Sequence, residues 1–462
     1  MSRIFRVSNL KKTIYYLKKN GIRQAYYAAK ERIADEAKPE YVFTPVSEEI
    51  LARQREDGRK LPYKFSILVP AYETNETYLR EMVDSVLAQS YENFELIIAD
   101  ASDSSDRVEK VIASYTDERI RYRKLKQNGG ISANTNYALM YATGDYAGLL
   151  DHDDVLTKDA LYEMAAKIGQ AQQKDIELQM LYSDEDKCNG NMTEYFEVNR
   201  KPKFNLDLIL SNNYICHFLV MKRQLMQELG FRSVCDGAQD YDLVLRCVNQ
   251  LLGKDKRRNR IQEIPVAHIP RVLYHWRCHE ASTAENPESK RYAYEAGKRA
   301  IESFLRAREW KGKVTPLRHL GFYRIDYEPD LFTNRPDTAV TGGRLIGNDN
   351  KITGGIYTRD GKPLYLGLHK EFSGYLHRAV LQQEAEMIDI RCMKASPEAE
   401  AVMEEILGLP YLKDAVTGRF DWQNGLKTGA DYVEISRKLC DRLREKNMRI
   451  VWDPAMTQKL DS

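Results

Sequence analysis

Short apolar runs and amphipathic segments alternate over residues 62–150. Apolar runs typical of buried strands lie at residues 65–69, 94–98, 120–125 and 146–150. Segments with helical spacing lie between them, at residues 77–90, 108–115 and 131–141. This order predicts an α/β fold with an open, parallel sheet. Because ligands of such sheets bind outside the carboxyl ends of the strands, the polar residues directly after each strand are the first candidates for a site.

A basic amphipathic segment precedes the predicted sheet. Residues 1–32 contain nine Lys or Arg residues and one acidic residue, Glu31, which gives this segment a net charge of +8. Ile, Leu and Tyr residues interleave with the charges and predict one or two helices between Lys11 and Ile33, with a break near Gly21. Such a helix can lie on an anionic membrane surface, or it can pack on the main domain with its basic face in water. The polar, Pro-containing residues 34–62 are predicted to form a linker or a wrapping segment.

Composition excludes several classes of protein. The 462 residues suffice for two or three domains, and the net charge of +2 argues against a binder of duplex nucleic acid. The seven cysteines form no Cys-x-x-Cys pair, so neither a zinc ribbon nor a disulfide framework is indicated. No apolar run approaches the ~20 residues of a membrane-spanning helix, and the first residues lack the apolar stretch of a secretory signal. We therefore expect a soluble, cytoplasmic protein with reduced thiols.

The most informative polar cluster is Asp151-His-Asp-Asp154, directly after the fourth predicted strand. Three carboxylates at one strand end repel each other unless a cation lies between them. A hard divalent ion such as Mg²⁺ or Mn²⁺, bound by one or two carboxylates and by substrate phosphates, fits this pattern. The alternative is a helix N-cap, which needs one carboxylate and for which Asp154 is the candidate.

Two further clusters carry candidate chemistry. Gly237-Ala-Gln-Asp-Tyr-Asp242 precedes an apolar run, and Asp240 is either an N-cap or, near a helix start, an ionised carboxylate able to act as general base. Leu273-Tyr-His-Trp-Arg277 follows a strand-like run. His275 can ligate a metal and Arg277 can neutralise a phosphate, although either residue alone is more often structural.

In combination, these segments resemble the family 2 glycosyltransferases. The resemblance covers about residues 62–310, and seven segments occur in the order that the family uses: Phe65-Ser-Ile-Leu-Val-Pro-Ala-Tyr72, Phe94-Glu-Leu-Ile-Ile-Ala-Asp100, Asn128-Gly-Gly-Ile-Ser-Ala-Asn134, Leu149-Leu-Asp-His-Asp-Asp154, Leu181-Tyr-Ser-Asp-Glu-Asp186, Asp236-Gly-Ala-Gln-Asp-Tyr-Asp242 and Leu273-Tyr-His-Trp-Arg277. The similarity is to bacterial sugar transferases of O-antigen, capsule and rhamnose-containing wall polysaccharides. It implies the GT-A fold, in which a nucleotide-binding α/β sheet is fused to an acceptor-binding half.

The resemblance also implies an activity and roles for individual residues. The expected reaction is inverting, metal-dependent transfer of a hexosyl or rhamnosyl group from a UDP- or dTDP-sugar to a growing, lipid-linked bacterial surface polysaccharide, with Mn²⁺ or Mg²⁺ as the metal. Asp240 would be the catalytic base, Asp151 would lie near the ribose and the metal, Asp153 and His275 would bind the metal, and Arg277 would contact the pyrophosphate. The residues expected to line the nucleoside are Pro70, Ala71, Tyr72, Glu73, Asp100, Asn128, Gly130 and Ser132.

Two positions depart from the family pattern. Ala99 stands where an Asp is usual, and Gln239 stands where the family has Glu. These departures leave a second function open, that of a catalytically silent nucleotide- or sugar-binding partner of an active transferase. A nucleotidyltransferase would need a Gly-rich, basic first loop, which residues 70–74 do not provide.

The C-terminal part resembles the back half of a second transferase domain. The similar segments are Thr341-Gly-Gly-Arg-Leu-Ile-Gly-Asn348 and residues 441–454, whereas Glu434-Ile-Ser-Arg-Lys438 stands where a second catalytic acid would lie. We therefore predict a basic arm and linker at 1–61, a GT-A domain at 62–320, and a degenerate, non-catalytic α/β module at 321–462. This module could bind acceptor, form a homodimer, dock a partner transferase or support the catalytic domain. Contact of residues 1–32 with the membrane would make the protein peripheral on the inner face of the plasma membrane.

Overall fold

The computed structural model describes residues 7–36, 41–253, 264–279, 291–427 and 429–460. Its helices are α1 (Val7–Glu36), α2 (Glu48–Gly58), α3 (Glu76–Leu87), α4 (Arg107–Ala113), α5 (Ile131–Met140), α6 (Ala160–Gln172), α7 (Leu206–Ile209), α8 (Arg223–Leu229), α9 (Gln239–Leu251), α10 (Arg291–Arg308), α11 (Leu331–Asn334), α12 (Pro397–Leu407), α13 (Trp422–Gly425) and α14 (Tyr432–Glu445). Its strands are β1 (Phe65–Ala71), β2 (Phe94–Asp100), β3 (Ile120–Lys124), β4 (Tyr146–Leu149), β5 (Val155–Leu156), β6 (Met180–Asn189), β7 (Tyr195–Asn199), β8 (Leu219–Lys222), β9 (Val266–Cys278), β10 (Gly312–Pro316), β11 (Tyr323–Tyr327), β12 (Thr338–Ile346), β13 (Ile352–Gly354), β14 (Ile356–Tyr357), β15 (Gln383–Glu384), β16 (Met387–Ile388), β17 (Met393–Ala395) and β18 (Arg449–Lys459).

The first sheet has nine strands in the order β3-β2-β1-β4-β8-β6-β9-β5, with β7 beside β6. Strands β1 to β4 form a parallel half, β8 runs antiparallel to both of its neighbours, and β6 and β9 are parallel to each other. The predicted α/β fold and its alternation of strands and helices are thereby confirmed. Chain order reverses between β1 and β4, so the carboxyl ends of these two strands frame a crevice of the kind that binds ligands.

Helix α3 shows why the sequence folds this way. The Asn75 side chain accepts the N–H groups of Thr77 and Tyr78, which caps the helix. Its apolar residues at helical spacing are all buried against the sheet: Leu79, Met82, Val83 and Val86. The burial of this stripe fixes α3 beside β1 and leaves its polar face in water.

Two N-terminal predictions are settled by helices α1 and α2. Gly21 has φ of 80° inside α1 and divides it into two helical segments, which confirms the expected break. Helix α2 lies within the segment predicted as a linker, and the side chain of Gln54 is buried against Ser90, which donates to it at 2.8 Å. This part of the chain therefore wraps on α6 and on the loop after α3, and it does not form a free linker.

The C-terminal part forms a second sheet with its own apolar core. This sheet has the order β13-β12-β18-β15, with β17 beside β12, and its two long strands β12 and β18 are parallel. Trp452 is fully buried in the core, which draws its side chains from residues 339–452. The division into three parts at residues 61 and 320 remains a prediction.

None of the helices in the described ranges is both long and apolar enough to cross a membrane.

Candidate functional site

The loop after β4 brings a carboxylate cluster into the crevice. The carboxylate of Asp151 lies 3.9 Å from Nε2 of His217. Withdrawal from water raises the pKa of Asp151, His217 opposes this shift, and the charges of Asp153 and Asp240 add to it. Three carboxylates from two separate sequence motifs therefore lie close enough to influence each other. A cation between them would relieve this repulsion.

Asp153 is paired with a histidine that the sequence reasoning did not single out. Nε2 of His279 lies 2.8 Å from Oδ2 of Asp153. Burial raises the pKa of Asp153, but the hydrogen bond with His279 and the nearby His152 outweigh burial, so the net shift is downward. Carboxylate oxygen together with imidazole nitrogen is a donor set that suits Mn²⁺ and other first-row metals.

Asp154 does not cap a helix, so that alternative is wrong. Helix α6 begins after Asp159, and both oxygens of Asp154 bind β9 instead. Its Oδ2 accepts the hydroxyl of Tyr274 at 2.5 Å, and its Oδ1 accepts the backbone N–H of Arg277 at 2.7 Å. Ligand atoms of Asp151, Asp154 and His217 all lie within 4.8 Å of one another, yet Asp154 is already held by protein donors. Asp154 therefore orients the loop that carries the other two aspartates.

Asp240 lies in the first turn of α9, as expected for a residue near a helix start. The N-cap is Ala238, so the alternative role of Asp240 as an N-cap is wrong. Nδ2 of Asn213 donates to Oδ2 of Asp240 at 2.7 Å, which fixes the orientation of the carboxylate. Oε1 of Gln239 accepts the N–H of Gly237 at 2.9 Å, so this amide supports the turn that precedes the helix.

The structure places His275 away from the carboxylate cluster, so its expected role as a metal ligand needs correction. Nδ1 of His275 lies 2.6 Å from Oδ1 of Asp186, and its ring packs between Phe43 and Tyr195 at centroid distances of 4.5 and 4.6 Å. Successive side chains of a strand point to opposite faces. The neighbouring Tyr274 faces the crevice, so His275 is turned from it.

Arg277 lies two residues after His275 on β9, so its side chain points to the same face of the strand. There it binds groups of the protein itself. Its guanidinium is fully buried and donates to the carbonyl oxygens of Asp153 and Gly190, both at 2.6 Å. Nη1 lies 2.6 Å from Oε2 of Glu81, and the guanidinium carbon lies 4.4 Å from the ring centre of Tyr78. Because these partners occupy the guanidinium, the geometry corrects the expected contact with pyrophosphate.

The expected nucleoside residues of β1 and β2 meet at the carboxyl ends of these strands. In the parallel register Pro70 pairs with Ala99 and Ala71 with Asp100. Asp100 is fully buried and accepts hydrogen bonds from Tyr122 at 2.7 Å and Lys124 at 2.9 Å. Burial raises the pKa of Asp100, but the hydrogen bonds that it accepts outweigh burial and lower it. Asp100 thus stays ionised and braces the strand end.

The carboxylate of Glu73 is hydrogen-bonded within the protein, whereas the ring of Tyr72 is exposed to a ligand. Glu73 accepts the N–H of Ser104 at 2.8 Å and the hydroxyl of Ser105 at 2.7 Å, so its carboxylate organises the loop after β2. These hydrogen bonds lower the pKa of Glu73. Tyr72 stays 42% exposed at the mouth of the crevice, where its ring is available for stacking.

The turn before α5 lies against the segment that leads to Asp240. Asn128 accepts the N–H of Gly130 at 3.0 Å, and the N–H of Ser132 donates to Oδ1 of Asp236 at 3.3 Å. Gly130 has φ of 86°, and a Cβ there would lie 2.6 Å from Oδ2 of Asp236. A side chain at Gly130 is therefore excluded by both its conformation and its neighbour.

A second polar group borders the crevice from β6 and was not predicted. Nδ1 of His217 lies 3.1 Å from Oε2 of Glu185, and the fully buried ammonium of Lys201 lies 3.3 Å from the same oxygen. Burial would raise the pKa of Glu185, but Lys201 and His217 lower it to about 2. The imidazole of His217 also stacks on Tyr274 at 4.5 Å. The acidic run at 184–186 in a strand was the available signal, whereas nothing in the sequence marked His217.

Comparison with known proteins gives one family match. Residues 66–230 match the model of the family described as Glycosyl transferase family 2. The chain is 39% identical over 243 residues to the uncharacterized protein y4gI of Sinorhizobium fredii, covering 52% of this chain and 25% of that protein. It is 29% identical over 290 residues to the O-antigen biosynthesis protein RfbC of Myxococcus xanthus, covering 60% of this chain and 21% of that protein. The chain thus spans about a quarter of the length of these relatives or less.

Among solved structures, the crystal structure of S. aureus TarS 1–349 in complex with UDP-GlcNAc is similar. It shares 19% sequence identity with a TM-score of 0.40, and the match covers 52% of this chain and 66% of that chain. The family match and the order of the first sheet together confirm the fold class expected from the sequence.

Proposed function

We propose that this chain, which carries a family 2 glycosyltransferase domain over residues 66–230, transfers a sugar from a UDP- or dTDP-sugar to a bacterial surface polysaccharide. The observation that carries the proposal is the position of Asp151 and Asp153 directly after β4, at the crevice between β1 and β4, with an imidazole beside each carboxylate: His217 lies 3.9 Å from Asp151 and His279 lies 2.8 Å from Asp153. Packing of a core alone does not require two carboxylates and two imidazoles at one edge of a sheet.

Asp240 is the proposed general base. The first turn of α9 favours its negative charge, and Asn213 holds one of its oxygens. The other oxygen takes the proton of the acceptor hydroxyl as that hydroxyl oxygen forms a bond to C1 of the sugar. The bond from C1 to the diphosphate oxygen breaks on the opposite face, and its electron pair leaves with the diphosphate. A single displacement of this kind inverts the configuration at C1.

Asp153 and His279, whose ligand atoms lie 2.8 Å apart, are the proposed ligands of a divalent metal. Asp151, whose ligand atoms lie within 4.8 Å of those of Asp154 and His217, would have to turn toward Asp153 to join them. Their oxygen and nitrogen donors fit Mn²⁺ well, and Mg²⁺ would use the two carboxylates together with donor phosphates. When bound, the metal supplies positive charge that stabilises the leaving diphosphate. His279 replaces His275 in this proposal because His279 lies beside Asp153 and His275 lies beside Asp186.

Replacing His279 by Ala is expected to weaken Mn²⁺ binding at least about tenfold, because an imidazole donor is lost. Calorimetric titration of the full chain with Mn²⁺ in the presence of UDP measures this directly. His275→Ala is the matched control, and we expect its Mn²⁺ affinity to stay within about twofold of the wild type. The opposite ranking of the two variants would restore His275 as the ligand and refute His279.

Nucleotide binding tests the donor class. We expect UDP or dTDP, with Mn²⁺, to raise the melting temperature of the full chain, because a ligand present at 100 times its Kd stabilises the folded state by about 2.7 kcal/mol. GDP serves as the control and should give a smaller shift. No shift with any nucleotide diphosphate, with and without Mn²⁺, would contradict the proposal.

The acceptor and its location complete the proposal. The basic residues 1–32 suit an anionic membrane surface, where a lipid-linked polysaccharide would grow, so we propose a peripheral location on the inner face of the plasma membrane. We propose that residues 321–462 are non-catalytic and bind the acceptor, form a homodimer, dock a partner transferase or support the catalytic domain. A catalytically silent role for the whole chain is disfavoured because Asp240 keeps its helix position and its partner Asn213.

A further inference from the structure

One face of helix α1 is docked on the C-terminal part of the chain. Nδ2 of Asn20 donates to the carbonyl of Arg318 at 3.4 Å, and Nε2 of Gln24 donates to Glu371 at 3.1 Å. The ring of Tyr27 stacks on His369 at 4.8 Å. Spacings of three and four residues place Gln24, Tyr27 and Glu31 along one side of the helical segment after Gly21, and Asn20 lies just before that break. The structure thereby supports the interpretation that α1 packs on the body of the protein.

Glu31 secures the end of this docked face. Its carboxylate accepts the N–H of Ser373 at 2.9 Å, the hydroxyl of Ser373 at 2.9 Å and the N–H of Gly374 at 2.6 Å. Glu31 is also the only acidic residue among residues 1–34 of the sequence. Its negative charge is therefore turned toward the protein and is absent from the outer side of the helix.

The opposite face of α1 is apolar and open to water. Ile22, Tyr26 and Ile33 are 81%, 59% and 62% exposed, and no residue in the described ranges covers them. Positions 22, 26 and 33, with Ala29 between them, recur at spacings of four, three and four residues, which puts them on one stripe. Amphipathic helices of soluble domains bury such a stripe, and here the helix already uses its other face for that purpose.

Basic residues surround this stripe. Arg23, Lys30 and Arg32 are exposed, and Nζ of Lys30 lies 5.9 Å from the ring centre of Tyr26. Arg23 pairs with Glu371 yet keeps 69% of its side chain exposed. An apolar stripe bordered by Lys and Arg is the composition of helices that lie in the plane of a membrane interface.

We propose that the outer face of α1, carried by Ile22, Tyr26 and Ile33 with Arg23, Lys30 and Arg32, docks on an anionic lipid bilayer. The apolar side chains would enter the headgroup region while the cations contact lipid phosphates. Charge favours this occupant over a second copy of the chain, because two identical basic faces repel each other. The inference rests on the proposed location at a membrane surface, for which it names the binding face, and it does not depend on sugar transfer.

The docked face also connects α1 to the crevice. Tyr375 directly follows Ser373 and Gly374, the residues that Glu31 binds. Its hydroxyl donates to the carbonyl of Val198 at 2.6 Å and accepts the N–H of Arg200 at 2.9 Å. The adjacent Asn199 donates to Glu185 at 2.9 Å, at the border of the crevice. Residues 373–375 and 198–200 would thus connect α1, with a bilayer bound to it, to the loop between β7 and α7.

Flotation of the full chain with lipid vesicles tests the proposal. We expect binding to vesicles of phosphatidylcholine and phosphatidylglycerol in equal parts and at least about tenfold weaker binding to phosphatidylcholine alone. The triple variant Ile22→Ser, Tyr26→Ser, Ile33→Ser should lose at least about tenfold in affinity for the anionic vesicles. A double variant of exposed apolar residues elsewhere, Leu366→Ser with Val416→Ser, is the matched control and should bind as the wild type does.

Other results would overturn the proposal or assign the outer face of α1 to a second copy of the chain. Equal binding of the triple variant and the wild type, or no binding of the wild type, would overturn the proposal. Light scattering that shows a wild-type dimer and a monomeric triple variant, without vesicle binding, would assign the face to a second copy of the chain. Nucleotide-induced stabilisation, measured without lipid, should be the same in both proteins, so a failure of the proposed sugar transfer is recognised separately.

Discussion

The Asp240→Asn variant is expected to lose about 10²- to 10⁴-fold in kcat for sugar transfer, the usual contribution of a positioned general base. Asn keeps the size of the side chain and can still contact Asn213, but it cannot accept the proton of the acceptor hydroxyl. Donor binding should persist, because Asp151 and Asp153 remain in place. Initial rates with saturating donor and acceptor measure the loss, and titration with UDP and Mn²⁺ measures the retained binding.

A matched control separates loss of the base from loss of folding. Glu76 lies in the first turn of α3, is exposed and pairs with Arg80, so Glu76→Gln makes the same chemical change at another helix start. We expect wild-type kcat for this control. If Asp240→Asn kept full turnover with an unchanged melting temperature, the base would have to be another group and the proposed mechanism would be wrong.

The sequence predicted the parallel half of the first sheet well because its strands have a strong local signal, whereas β5, β7 and β8 were not predicted. The apolar runs that became β1, β2 and β4 are continuous, and such runs mark strands that are buried on both faces. The polar residues that follow these strands are then predicted to lie near one another, since parallel strands place their carboxyl ends at one edge of the sheet. Asp151 and Asp153 accordingly follow β4 at this edge, whereas their joint role with Asp240 stays a prediction.

The differences at the site come from side-chain contacts, which composition does not reveal. His275 and Arg277 have chemistry that suits a metal and a phosphate, yet His275 lies beside Asp186 and Arg277 donates to the carbonyl oxygens of Asp153 and Gly190. Strand parity puts Tyr274 and His275 on opposite faces, but only the fold shows which of the two faces the crevice. His279 lies just beyond the strand, where parity no longer applies, and only the fold shows that it meets Asp153.

Glu73 and Asp100 illustrate a second limit of prediction from sequence. Both residues occur at the strand ends where ligands bind, and both have carboxylates that are occupied by backbone N–H, hydroxyl or ammonium donors of the protein. A carboxylate that contacts a ligand and one that braces a loop have the same position in the sequence. Only the hydrogen-bond partners distinguish them, and several of these partners, such as Ser104 for Glu73 and Lys124 for Asp100, lie more than twenty residues away along the chain.

The largest expected loss of stability is that of Arg335→Ala, about 3–5 kcal/mol, because this change takes the cation from the buried carboxylate of Asp207 and leaves Asp337 with Arg449 alone. The guanidinium of Arg335 is fully buried and donates to Asp207 at 2.9 Å and to Asp337 at 3.0 Å. Asp207 belongs to α7, which packs with the first sheet, and Asp337 precedes the second sheet. Urea unfolding, followed by the fluorescence of the adjacent Trp310, measures the change in the free energy of unfolding.

The pairing of Asp337 with Arg335 and Arg449 determines how the free energy of unfolding changes with pH. Burial raises the pKa of Asp337, but Arg335 and Arg449 outweigh burial and lower it. A carboxyl group with a lowered pKa in the folded state stabilises fully above its unfolded value near 3.8 and loses that contribution as the pH falls through the folded value. We therefore expect the wild type to lose stability below about pH 4 more steeply than Arg335→Ala, in which Asp337 keeps only its pairing with Arg449.

An exposed ion pair supplies the control for this buried one. Arg437 pairs with Glu434 on α14, where the two side chains are 46% and 33% exposed. Arg437→Ala should cost less than about 1 kcal/mol, since water screens the charges in both states. If Arg335→Ala cost no more than Arg437→Ala, the two sheets would not depend on the buried network, and their association would have to rest on apolar contacts alone.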